Sequence, residues 1–285
     1  MAKIIKWYYN LPKQVRNSMI ISATIVGAIS TVLSILGISL GDIEKLSIWV
    51  RIVIVIAVYS LLTAGIYFAI GKMFKSAVNL TIHQTPVSIS CGDIFKASGW
   101  RVIGCDTHFD TRIDDIVISK KSLHGRLFLE HGKNDEIQAA IKAEAKRLGL
   151  RKNSAGLYDF PLGTTIRYDS SVDNHTYLML AMTELNEQYE AHTDMAKFEL
   201  MLMRMWKEIG RVYAYNDIAL PVLGTGISRF DDGPKNREDL LRCMICTLNS
   251  SGVVLKSNME IFIYGDAKDI PLYEYRDMFN TISRR

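Results

Sequence analysis

The sequence predicts an α/β fold: a three-layer α/β/α domain with a mixed sheet, preceded by a hairpin of two transmembrane helices. Three observations carry that expectation. Two long uncharged apolar runs fall within the first quarter of the 285 residues. Beyond them, short β-rich stretches alternate with amphipathic helical stretches, the order in which helices come to cover a sheet. Strand candidates also end abruptly in glycine and small polar residues, and ligands of such sheets sit beyond the carboxyl ends of the strands.

The hairpin comes first. Residues 18–40 hold 23 positions without a charge, and residues 52–70 hold 19. Each run crosses a hydrocarbon core of about 30 Å at about 1.5 Å per residue. A helix satisfies its own backbone groups in lipid, so helices are expected at about 18–40 and 48–70. The short connection contains Asp42, Glu44 and Lys45. The formal net charge is +4, yet residues 1–75 carry eight Lys and Arg against two acids, an excess of six; the remainder is therefore at −2. Lys3, Lys6, Lys13 and Arg16 precede the first run, and Lys72 and Lys75 follow the second. The positive-inside bias then places both termini in the cytoplasm. A cleaved signal peptide fits poorly, because the run is too long and lacks a small-x-small cleavage site. Ala23, Gly27 and Thr31 share one stripe, a surface on which helices approach closely, and neither run holds a charged residue. An oligomerising anchor in a lipid bilayer is expected rather than a transporter. The slightly acidic remainder argues against nucleic acid, whose phosphates select clustered Lys and Arg.

Residues 1–75 are thus the expected anchor, 76–85 a linker and 86–285 the α/β domain. Val87 and Ile89 alternate with serines, as in a half-buried strand, and lead into Gly92-Asp93-Ile94. A second strand at 100–105 stops at the polar Asp106–Asp110 segment. A short β-branched piece at 116–118 precedes Ser122-Leu123-His124-Gly125. A helix is expected at about 135–148, capped by Asn134, with Ile137, Ala140, Ile141, Ala145 and Leu148 on one face. Strand-like pieces follow at 158–160, 164–168 and 176–182, the last a nearly continuous apolar run suited to burial on both faces. A second long helix begins near Thr193, and its stripe of Phe198, Met201, Leu202, Met205, Trp206 and Ile209 reads as core packing. A strand at 218–223, a helix at 236–248, a strand at 259–264 and a helix at 272–282 complete the chain. Cys243 and Cys246 read as two small buried residues of the 236–248 helix, since no second pair completes a zinc site. With no sign of an oxidised framework, a reducing compartment is expected.

The stretch Pro221-Val222-Leu223-Gly224-Thr225-Gly226-Ile227-Ser228-Arg229-Phe230 carries the chemistry. Two glycines flanking one residue open dihedrals closed to other residues and bring main-chain N–H groups close to a ligand. Consecutive N–H groups make a concavity for oxyanions, most naturally nucleotide phosphates. Phe230 follows at the distance where a ring can lie against a base or sugar. A tight turn with no ligand is the better reading of a lone G-x-G; the rest of the chain moves the balance. Asp106, His108, Asp110, Asp114 and Asp115 admit an acid/base or metal reading, but pocket lining or a surface turn is preferred.

Gly92-Asp93-Ile94 and the later glycine loop, in this order and separation, resemble the macro domain, an α/β/α module that binds ADP-ribose and related nucleotides. The resemblance covers about residues 86–285. Preceded by two membrane helices, the whole is similar to the membrane-anchored macro effectors of bacterial Thoeris anti-phage systems. It implies a multi-pass protein of the bacterial inner membrane and a TIR-domain partner that consumes NAD. The signal it implies is an ADP-ribose derivative, the histidine conjugate (histidine-ADP-ribose) in the two-helix branch. The effector binds that signal, oligomerises and damages the membrane. Carried onto this sequence, Asp93 accepts a hydrogen bond from the adenine amine, with Ile94 beside the ring. Ser122, Leu123, His124 and Gly125 take the place of the first phosphate loop. Gly224, Thr225, Gly226, Ile227 and Ser228 form the second, wrapping the diphosphate, with Leu223 before it, Arg229 and Phe230 beyond it, and Phe230 against the distal ribose or base. The Asn-rich stretch and triple-glycine loop of macro hydrolases are missing: Gly104-Cys105-Asp106-Thr107-His108-Phe109-Asp110 stands instead, and the first loop has one glycine. A sensor without catalytic residues, metal or cofactor is therefore expected, with a membrane-tethered ADP-ribosyl or nucleotide hydrolase as the alternative.

Overall fold

The computed structural model describes residues 7–8, 11–35, 47–75, 77–186, 190–226, 229–265, 272 and 275. Two compact units divide the chain, one containing the residues up to Ala77 and the other containing Val78–Tyr264. In the first, α1 (Lys13–Ile35) and α2 (Ile48–Lys75) pack against each other. Within them Gln14–Ile35 and Ile48–Gly71 are long and apolar enough to cross a membrane. Their apolar side chains point outward, with Ile29 55%, Val32 54% and Val53 64% exposed, unlike a core helix of a water-soluble protein. The face they share is polar instead. Gln14, Ser18 and Ser22 are buried at successive turns of α1, and the two serine hydroxyls donate to carbonyls one turn back. Across the interface Tyr59 donates to the Met19 carbonyl at 3.0 Å, Thr63 to Ser22 at 3.1 Å and Gln14 to the Tyr67 carbonyl at 2.9 Å. In lipid such bonds hold helices together where hydrophobic contrast cannot.

The second unit opens with β1 (Val78–Ile82), which pairs antiparallel with β2 (Thr85–Cys91). The segment expected as a linker therefore holds a strand. Its alternation is complete, with Val78, Leu80 and Ile82 buried and Asn79 and Thr81 outward. The turn rests on His83 and Gln84, both at positive φ (46° and 69°), the backbone that a two-residue hairpin of matching twist requires.

The remaining strands are β3 (Trp100–Asp106), β4 (Thr165–Asp169), β5 (Thr176–Leu185), β6 (Ala191–Thr193), β7 (Ile218–Pro221), β8 (Arg229–Phe230) and β9 (Met259–Ile263). The sheet runs β1-β2-β9-β7-β3-β5-β6-β8, with β4 also paired to β5. Pairings β2–β9, β9–β7, β7–β3 and β3–β5 are parallel, and β4–β5 is antiparallel, so the sheet is mixed. Residue parity separates its two faces. Ile103, Cys105, Tyr177, Met179 and Ala181 face a core shared with Leu127, Ile137, Ile141 and Ala145, which come from α3 and its continuation (Leu123–Arg126, then a π turn Leu127–His131) and from α4 (Asn134–Arg147). On β5, Leu178 and Leu180 alternate with those residues, and α5 (Met195–Val212) packs on β4 and β5 and against α6 (Arg237–Ser251). The stripe Phe198, Met201, Leu202, Met205, Trp206 and Ile209 is buried as its spacing predicted.

Several local expectations change. Residues 116–118 form no strand, because Asp114 caps the amides of Ile116 and Val117 at 2.9 and 2.8 Å and turns the chain. Around 158–160 only an isolated bridge, Lys152 to Tyr158, forms. Asn134 is the first residue of α4 rather than its cap, which is Lys133 without a side-chain bond. The helix expected near Thr193 begins at Met195, capped by Asp194. Cys243 is buried but Cys246 is exposed. Apart from Leu272 and Tyr275, the helix expected at 272–282 lies outside the described residues, as does most of the 41–47 connection.

Candidate ligand cleft

The parallel strands β2, β3, β5, β7 and β9 deliver their carboxyl ends to one cleft of about 800 Å³. That volume suits a ligand of nucleotide size. Each strand contributes residues at or near its carboxyl end, and the loops 117–124 and 222–226, Arg126, Glu130 and Ala191 complete the lining.

At one end β2 runs through Gly92 into Asp93, which caps a 3₁₀ turn (Ile94–Lys96) by accepting from the Phe95 N–H at 3.1 Å. The other carboxylate oxygen of Asp93 faces the Arg126 guanidinium, 3.4 Å from each terminal nitrogen. Asp93 is thus both a turn cap and a member of an ion pair in the cleft wall. Ile94 lines the cleft while 3% exposed.

The first loop is built from the backbone outward. Ser122 caps α3, accepting from the Gly125 N–H at 2.9 Å and donating to the Ser119 carbonyl at 2.7 Å. Gly125 is required by a close approach: a Cβ there would lie 2.2 Å from the Ser119 oxygen and 3.0 Å from the Lys120 Cα. His124 lines the cleft at 5% exposure, and its Nε2 is buried without a hydrogen-bond partner among the described residues. Its Nδ1 lies 3.7 Å from Asp106 Oδ2, beyond hydrogen-bond length. Burial pushes the imidazole below its ordinary pKa, with Asp106 and Asp110 pulling the other way.

The second loop leaves β7 at Pro221. Gly224 takes φ +80°, the left-handed region glycine enters freely, and the Thr225 hydroxyl closes the turn on the Val222 carbonyl at 2.8 Å. Leu223, Gly224, Thr225 and Gly226 all line the cleft. Ile227 and Ser228 lie outside the described residues.

Of the residues singled out from sequence, Asp93, Ile94, Ser122, Leu123, His124 and Leu223 to Gly226 meet at this cleft. Gly125 supports the wall from behind. Arg229 and Phe230 are not brought to it: as β8 they pair with β6, Arg229 makes an ion pair with Glu190, and Phe230 packs edge-on against Phe198, 5.6 Å between centroids. The acidic run resolves into local bonds. Asp106 is buried and accepts from the amides of His108 (2.7 Å) and Asp110 (3.2 Å). Asp110 pairs with Arg112 at 2.6 Å; burial alone raises its carboxyl pKa, but the Arg112 bonds outweigh that and lower it. His108 meets Asp159 at 2.7 Å, and Asp115 meets Lys120 at 3.3 Å. Sequence reasoning missed Arg126, Met182, Thr183, Phe262 and Tyr264, which also line the cleft. Arg126 had a signal, a cation directly after the first loop and ahead of the apolar Leu127-Phe128-Leu129.

The family model described as "Thoeris protein ThsA, Macro domain" matches residues 87–264. Thoeris protein ThsA of Bacillus amyloliquefaciens (strain Y2) is 26% identical over 218 residues, 73% of this chain and 72% of that protein. Among solved structures, an Oceanobacillus iheyensis macrodomain mutant with ADPR has a TM-score of 0.49 at 12% identity, covering 72% of this chain and 98% of its own. The macrodomain of the same organism with MES bound gives 0.47 at 12% identity, covering 72% and 96%. With a family match spanning more than half its length, the chain belongs to the Thoeris ThsA macro-domain family.

Proposed function

We propose that this chain is a membrane-anchored anti-phage effector whose cytoplasmic macro domain senses an ADP-ribose-derived signal. The signal is the histidine conjugate made by a TIR-domain enzyme; on binding it, protomers oligomerise and their hairpins disrupt the bacterial inner membrane. One observation carries the reading: a cleft of nucleotide size at the strand carboxyl ends, with the Asp93 turn and the Gly224–Gly226 loop both in its wall. The macro-domain family match and the two apolar helices support it. Ligand drives assembly only if the assembled state binds it more tightly than the resting state. Anchoring helps by confining protomers and raising their effective concentration. The cleft holds an acid and an imidazole, Asp106 and His124, but Asp106 is committed to two backbone amides, which favours a sensor over a hydrolase. The test uses the full chain in dye-filled liposomes. ADP-ribose or its histidine conjugate should release dye and remain intact by mass spectrometry. Saturating ligand that releases no dye refutes the effector reading, and turnover of the ligand supports the hydrolase instead.

A further inference from the structure

Phe95 sits beneath the Asp93 end of the cleft, and both faces of its ring are taken. The His131 imidazole stacks on it at 4.3 Å and 9°, and the Arg126 guanidinium carbon lies 4.4 Å from its centre. Two planar groups at stacking distance from one ring centre cannot share a face, so Phe95 is sandwiched between them. The sandwich is anchored in the core. His131 Nδ1 lies 3.0 Å from Asp173 Oδ2, the same oxygen accepts from Tyr177 Oη at 2.6 Å, and the buried Arg101 lies 3.6 Å away. On its outer side Arg126 is held edge-on by carboxylates, Asp93 at 3.4 Å and Glu130 at 3.4 Å. Edge-on pairs leave the plane of a guanidinium free. Phe95 is 7% exposed, whereas Arg126, Asp93 and Glu130 line the cleft.

We infer that the Arg126 guanidinium is the platform on which the base of the ligand stacks, with Asp93 reading the base's amine at its edge. Resting on the ADP-ribose reading above, this assigns a base-binding residue to the same site. A guanidinium stacks on aromatic planes where an ammonium cannot, and Phe95 itself is closed to a base. Asp93 keeps acceptor capacity for an amine, because a carboxylate offers about four lone-pair sites.

The experiment is calorimetry on the full chain in detergent micelles, with ADP-ribose and its hypoxanthine analogue as probes. Arg126→Lys keeps a cation beside Asp93 without the plane, and Arg126→Met keeps the apolar stem. Both variants should melt with the parent and bind both probes about tenfold more weakly, since base stacking is worth about that much. The ratio between the two probes should not change. Parent-like affinity in Arg126→Lys overturns the inference, as does parent-like or tighter binding by Arg126→Met, which makes the guanidinium a mere cover. A collapsed ratio also overturns it, because Arg126 then acts through Asp93. If Arg126→Met does not fold, Arg126→Lys alone decides. A parent chain that fails to bind ADP-ribose removes the functional reading and this inference together, whereas a binding parent with unaffected variants removes only this one.

Discussion

Replacing Gly125 with Ala tests whether the first loop's wall is set by backbone contact. Gly125 lies in helix α3, so its backbone accepts alanine, and propensity alone favours the change by up to about 1 kcal/mol. The added Cβ, however, meets the Ser119 carbonyl oxygen at 2.2 Å and the Lys120 Cα at 3.0 Å. A normal contact is about 3.5 Å, so segment 119–120 must retreat by about 1 Å. Those atoms are main chain and cannot rotate aside as a side-chain tip would. Overpacking of this kind costs about 1–3 kcal/mol and outweighs the propensity gain. For a domain of this size the loss lowers the melting temperature by roughly 2–12 °C. It also displaces the wall residues Ser119 to Ser122 and weakens ADP-ribose binding. The matched control is Gly226→Ala, where an added Cβ meets nothing within 4 Å and stability should stay within about 0.5 kcal/mol of the parent. The assay is a thermal melt of both full-length variants in micelles, paired with calorimetry. If the Gly125→Ala protein melts within about 1 °C of the Gly226→Ala protein, the contact is not built as described.

His124 supplies a pH dependence. Burial holds its folded pKa below the ordinary value of 6.5, so in the window between the two the unfolded chain binds more protons. Stability is therefore complete above the unfolded pKa and declines as pH falls toward the folded one, by at most about 1.4 kcal/mol per pH unit. His124→Gln should flatten that part of the curve in melts from pH 7.5 to 5, and an unchanged slope would refute it. Thr247 is the acceptor for the buried Trp206 indole N–H at 3.0 Å. Thr247→Val strands that donor and should cost about 1–3 kcal/mol, with Thr247→Ser close to the parent; equal melts for the two variants would count against the bond.

Apolar periodicity made most of the fold legible. The strands around 87–89, 100–105, 176–182 and 259–264 and the helices α4, α5 and α6 stand out because each buries one face or both, whereas the short α3 and its π turn read as a loop. Strand β1 is only five residues long and follows a long apolar helix almost directly, where a connector is the plainer reading. Its turn residues, His83 and Gln84, also lack the Asn-Gly signature of a two-residue hairpin, although the alternation Val78-Leu80-Ile82 was there to see. Residues 116–118 misled for the opposite reason: β-branched side chains suggested a strand, while the Asp114 cap decided the backbone. At the cleft, glycine loops and Asp93 could be read because their chemistry is local. Phe230 could not be placed, since only the pairing of β8 with β6 turns it toward Phe198. The Arg126–Phe95–His131 stack joins residues up to 36 positions apart in the chain (95 to 131), which no single-segment pattern reveals.

The most direct measurement is a calorimetric titration of ADP-ribose into the full-length chain and its Gly226→Glu variant. Gly226 is exposed with open space about it, so the variant should fold while bringing a carboxylate against the bound diphosphate. At about 4 Å that repulsion is worth about 1–4 kcal/mol between the dielectric of water and that of a protein surface. The parent should bind, and the variant should lose at least about fivefold in affinity. Equal affinities for parent and variant, or no heat from the parent at all, would contradict a diphosphate cradled by the second loop.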